Sequence, residues 1–106
     1  MPNFGVSETK VAKATMTNPT SKQFYYTAEL YLGLPKVAGS GIVSFSLGPG
    51  ESGDVYFSVT MPNVEGTYPV YLDVFSKGDL VAAYRATEDV TIIVSPAIDI
   101  GPIIWV

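Results

Sequence analysis

The chain has 106 residues, 47% hydrophobic and 15% charged, with 10 Gly and 8 Pro scattered along its length. That size and balance describe one folded domain rich in turns, and exclude both a disordered polymer and two independent cores. The formal net charge is −4, and no cluster of Lys or Arg could track phosphates, so nucleic acid is not an expected partner.

Cysteine and histidine are both absent. Disulfides, thiolate nucleophiles, the commonest metal ligand and the usual general base near neutral pH are thereby removed. The expectation is a non-enzyme with no cofactor, no metal and no catalytic residue. No stretch is long and apolar enough to span a bilayer, and residues 1–5 show no basic region followed by an apolar core, so neither a membrane span nor a secretory signal is expected.

Residues 11–17 open the strand pattern, alternating Ala12, Ala14 and Met16 with Lys13, Thr15 and Thr17. Asn18-Pro19-Thr20-Ser21 stops it with turn chemistry. Over 24–32 the alternation is clearer, with Phe24, Tyr26, Ala28, Leu30 and Leu32 assigned to the core and Tyr25, Thr27, Glu29 and Tyr31 to the other face. Residues 33–41 read as a loop with a short edge strand near Val37. A strand over 42–47 points Val43, Phe45 and Leu47 inward, and Gly48-Pro49-Gly50-Glu51-Ser52-Gly53 forces a reversal.

The strand over 54–61 repeats the code with Val55, Phe57, Val59 and Met61 inward, and Pro62 ends it. After Gly66, Tyr68, Val70, Leu72 and Val74 read inward while Tyr71, Asp73 and Phe75 read outward. Ser76-Lys77-Gly78-Asp79 signals a hairpin to a returning strand over 80–85. A break at 86–89 precedes 90–94, read as the same strand continued past a bulge. No helical period persists for three turns. One-sided strands of this kind bury their apolar faces by packing two sheets together, which gives an all-β, two-sheet antiparallel sandwich of about seven strands.

Asn18-Pro19-Thr20 after a strand, Leu47-Gly48-Pro49-Gly50-Glu51-Ser52 before one, and Gly66-Thr67-Tyr68-Pro69-Val70 opening the next resemble bacterial and archaeal cell-adhesion-related immunoglobulin-like domains. Fibronectin type III domains are a more distant likeness. The resemblance covers roughly residues 5 to 94 and rests on turn chemistry, so it implies an immunoglobulin-like fold rather than an activity. It further implies a spacer or contact module of surface, secreted or virion-associated proteins, and hence an extracellular, cell-surface or virion location. Tyr68 matches a tyrosine near the start of the second-to-last strand whose hydroxyl bonds a nearby turn. The two sheet-bridging cysteines and the third-strand Trp of antibody domains are missing.

If the 11–17 and 54–61 strands share one sheet, its outer face carries Lys13, Thr15, Ser58 and Thr60 with Tyr56 as its aromatic. The other sheet shows Tyr25, Glu29, Tyr31, Tyr71, Asp73 and Phe75, with Tyr84 or Arg85 according to register. Rings beside carboxylates suit a protein contact patch or a glycan-binding face, and cross-strand tyrosine pairs also stabilise sheets with no ligand at all. Glu88-Asp89, with Asp73 nearby, offers oxygens for calcium, but the spacing fits no calcium loop and solvated charges at a strand break are the expectation. Glycoside hydrolysis needs two carboxylates across a cleft, which a compact sandwich lacks.

Residues 1–96 are read as the domain and 97–106 as an apolar tail or linker. Ile98, Ile100, Ile103, Ile104 and Trp105 make that tail sticky if it stays exposed, so it needs a burial partner: its own domain, a neighbouring domain, another protein or a second copy. Two Pro residues in the tail region exclude a central strand and allow an extended edge segment.

Overall fold

The computed structural model describes residues 2–94, 96, 98 and 100–106. Its elements are all strands: β1 (Asn3–Gly5), β2 (Thr9–Thr17), β3 (Phe24–Leu32), β4 (Ala38–Gly39), β5 (Val43–Leu47), β6 (Ser52–Thr60), β7 (Gly66–Tyr68), β8 (Val70–Ser76), β9 (Asp79–Arg85) and β10 (Val90–Ile93). β4 and β5 share one edge of β3, β7 runs into β8 across Pro69, and β10 follows β9 after a break. Counting those pairs as interrupted strands gives seven among the described residues, of which β1 has no counterpart in the alternation, while the edge strand expected near Val37 is the two-residue β4. The fold is an all-β two-sheet sandwich.

The sheets are unequal. β2 pairs with β6 alone, antiparallel from Thr9↔Thr60 to Thr17↔Ser52. The larger sheet places β3 between β4/β5 and β8, with β9 beyond β8. Its lower end continues as β1-β10-β7, where β1 runs parallel to β10 and β7 antiparallel to it. β1 was not expected, because three residues are too few to show an alternation.

Alternation predicts the core well because a strand's period of two sends every second side chain inward. Ala28, Val55, Phe57 and Val74 form one buried cluster. Leu32, Val59, Met61, Val90 and Ile92 form another nearer β1, with Phe4, Val6 and Tyr68 packed against it. Leu30 touches both clusters, so they form one continuous interior. Burying a side chain the size of Phe57 or Val59 stabilises the fold by about 1.5–3 kcal/mol.

Turns act as specified by their residues. Lys77 and Gly78 both adopt positive φ, 53° and 82°, in a two-residue hairpin whose Ser76 and Asp79 are directly paired. That geometry matches the right-handed twist of the flanking strands. At the far end Asn18 is fully buried, although its Asn-Pro-Thr-Ser setting reads as an exposed turn. Its amide donates to the carbonyls of Lys22 at 2.7 Å and Leu47 at 3.0 Å. Its carbonyl oxygen accepts from the Thr20 N–H and hydroxyl at 3.0 and 2.7 Å. The side chain thus ties the β2–β3 loop to the end of β5. The Tyr68 hydroxyl donates to the Val64 carbonyl at 3.0 Å, the turn bond that the resemblance implied.

Candidate interaction surfaces

The outer face of β3 and β8 holds the residues expected there. Register pairs Tyr31 with Tyr71, Glu29 with Asp73, and Thr27 with Phe75, and β9 sets Arg85 beside Tyr71. Arg85 is therefore the outward residue, and Tyr84, opposite Leu72, turns to the core side. The rings of Tyr31 and Tyr71 stack with centroids 5.4 Å apart. The Tyr31 hydroxyl donates to Asp73 at 2.9 Å, and Lys36 bonds Glu29 at 2.8 Å while lying 5.9 Å above the Tyr31 ring.

Electrostatics follow from that packing. The bond to Asp73 holds the Tyr31 hydroxyl above its ordinary value of 10.0, with burial and the Asp73 charge acting in the same direction. A carboxylate acceptor favours the neutral phenol. Glu29, Tyr31, Tyr71 and Asp73 thus form one group whose polar atoms and ring faces already serve each other. Tyr25 stands apart, 74% exposed and paired with Ser46 on β5. Phe75 is half-buried.

The carboxylates at the strand break do not gather a cation site. Asp89 contacts Arg85 at 3.3 Å and Asp73 is held by Tyr31. Among the described residues no group of three His, Cys, Asp or Glu could hold a metal ion.

A second surface lies where the smaller sheet ends. Among the described residues β2 pairs only with β6 and β9 only with β8, which leaves the sandwich open between β2 and β9. Ala82 and Tyr84 sit opposite Val74 and Leu72, on the core side of the sheet, yet every residue of β9 is exposed. Leu80, Val81 and Tyr84 are 56%, 54% and 57% exposed. A bulge between Val74 and Phe75 adds Val81 to the inward set. At the Thr17 end of β2 the gap opens into an apolar groove of about 570 Å³ lined by Met16, Pro19, Phe24, Phe45, Val81 and Ala82 among others.

The third surface is the tail. Ile98, Ile100, Ile103, Ile104 and Trp105 are all exposed, Trp105 to 94%. Ala97, where the domain boundary is expected, lies outside the described residues. The Cα atoms span 79 × 23 × 23 Å. The longest strands have nine residues, about 30 Å, so the long axis is more than twice the length of a strand.

No family model and no curated protein matches this chain.

The register sets Tyr31, Tyr71, Glu29 and Asp73 on one face and the tail side chains are exposed, and the groove is a further surface that the sequence does not show. Nothing local to residues 80–85 reveals that the strand's inner side is bare, because that depends on how many strands the opposite sheet contains. A faint signal is there: Leu80, Val81, Ala82 and Ala83 are apolar in succession, without the alternation of a strand covered on one face only.

Proposed function

We propose that this chain is a non-enzymatic structural module that joins protein subunits in a surface, secreted or virion-associated assembly. One observation carries the reading: the apolar side chains of Ile98, Ile100, Ile103, Ile104 and Trp105 lie exposed beyond the sandwich. Contiguous apolar surface of this kind marks contact with another macromolecule. The resemblance to cell-adhesion-related domains supports the same class and supplies the expected location.

Chemistry argues in the same direction. A hollow of about 930 Å³ is lined by Lys22, Tyr25, Phe45, Lys77 and neighbours with no carboxylate. Acid–base catalysis there would lack both a His and a paired acid. A glycan-binding role for the aromatic face is the weaker reading, because Tyr31 and Tyr71 stack on each other and Asp73 and Glu29 are already bonded. Tyrosine signals on that face should not move across a broad glycan panel, and a saturable shift would favour the glycan reading.

Sedimentation and melting of the chain, with and without residues 97–106, test the proposal. Deletion should reduce association or lower the melting temperature. Identical behaviour of the two proteins would overturn it.

A further inference from the structure

We infer that the partner is a second copy of this chain, and that residues 98–106 of one copy add as a strand beside β2 in the groove of the next. This rests on the structural reading above and names what covers Ile98, Ile100 and Ile104.

Direction is the first argument. Among the described residues no strand lies next to β2 on its side away from β6, while β1 spans three residues and pairs with β10 instead. Open edge therefore remains along the part of β2 leading to Thr17, about 20 Å of backbone at the rise of a strand. β10 ends near the start of β2: the Val6 N–H bonds the Ile93 carbonyl at 3.2 Å and the Met61 N–H bonds the Glu8 carbonyl at 2.8 Å. The tail thus leaves one pole, whereas the groove, lined by Met16, Phe24 and Ser76, opens at the other. A copy displaced along the long axis presents its tail to that opening without reversing the chain. The incoming strand then runs antiparallel to β2, the pairing β2 already makes with β6.

Docking within one chain asks for more. After β10 the chain would have to reverse direction, pass β1 and run parallel to β2. Since Ile98, Ile100, Ile103, Ile104 and Trp105 are exposed and not packed on their own sandwich, addition to a neighbour is the arrangement the geometry favours.

The tail also has the right pattern. Extended, it sends Ile98, Ile100, Pro102, Ile104 and Val106 to one side, an apolar row to set on Val74, Val81 and Ala82. Pro102 has no N–H, which an edge strand tolerates on its unpaired side. Residues 99, 101, 103 and 105 then form the ladder with β2. Because tail and groove are different patches at opposite poles, the contact is head-to-tail and repeats into a linear fibre.

The absence of cysteine makes a crosslinking test clean. Val81→Cys and Ile100→Cys, prepared separately, mixed and oxidised, should give a disulfide-linked heterodimer, and the double variant a ladder of oligomers. Val81→Arg, at an exposed position, should keep the melting temperature and weaken self-association at least tenfold. Monomeric intrachain disulfide in the double variant would overturn the inference in favour of self-docking. Association with crosslinks only between Ile100→Cys copies would overturn it while leaving the structural reading intact. A chain monomeric at every concentration would also overturn it, and unchanged melting after tail deletion would then remove the structural reading as well.

Discussion

The Tyr31 hydroxyl and the Asp73 carboxylate meet at 2.9 Å across β3 and β8, next to the ring stack of Tyr31 on Tyr71. A phenol that donates to a carboxylate resists losing its proton, and Tyr31 is accordingly held above 10.0. The folded-state value is raised above the unfolded one, so this pair contributes stability below pH 10 and loses it as pH climbs through the folded value. Spectrophotometric titration should show one tyrosine ionising later than an ordinary tyrosine. Asp73→Asn should bring it back toward the usual range, and a titration unchanged by that substitution would remove Asp73 as the cause.

Asn18→Ala should be among the most damaging polar substitutions. It leaves the Leu47 carbonyl without its amide donor and the Thr20 N–H without its acceptor around a fully buried side chain, while the Lys22 carbonyl keeps the Thr20 hydroxyl. Unsatisfied buried groups cost about 1–3 kcal/mol each in such sites, so a loss of about 2–4 kcal/mol is expected in urea unfolding. Asn18→Asp should be no milder, since it replaces the donor with a second acceptor facing two carbonyls. A change below about 0.5 kcal/mol for either, the range of ordinary surface substitutions, would show that the loop is not held by this side chain.

Neighbouring positions on β6 should respond oppositely. Phe57 is wholly buried and Tyr56 exposed, although both are aromatic and adjacent. Phe57→Ala removes a core ring and should cost about 3–5 kcal/mol, whereas Tyr56→Ala should change stability by about 0.5 kcal/mol or less. Comparable losses at the two sites in denaturant unfolding would mean that β6 is set one residue out of register.

These contrasts show why the sandwich was legible. Val55, Phe57 and Val59 alternate with Tyr56 and Ser58, and that local period is enough to name the buried face. The Lys77-Gly78 hairpin was legible for the same reason, because its backbone needs are met by the residues themselves. Asn18 was not, since a turn composition says nothing about a carbonyl 29 residues away at Leu47. The Tyr31–Asp73 bond depends on the register of β3 against β8, and the bare side of β9 on a strand that the smaller sheet does not have. Each of these is a property of pairing, which no window of sequence contains.

The hairpin yields the last prediction. Gly78 adopts φ 82°, where an L side chain is strained, yet a Cβ placed there meets no atom within 4 Å. Strain is therefore isolated from crowding, and Gly78→Ala should lower stability by about 1 kcal/mol without disturbing the core. Lys77, at φ 53°, bears a smaller cost of the same kind, because Asn visits this region more readily than Lys. Lys77→Asn should raise stability by a few tenths of a kcal/mol, and Lys77→Asn with Gly78→Ala should fall between the single variants. Thermal unfolding of the three proteins checks the order. If Gly78→Ala melted with the parent, the turn would have to adopt some other geometry, and the Ser76–Asp79 pairing that aligns β9 on β8 would have to shift with it.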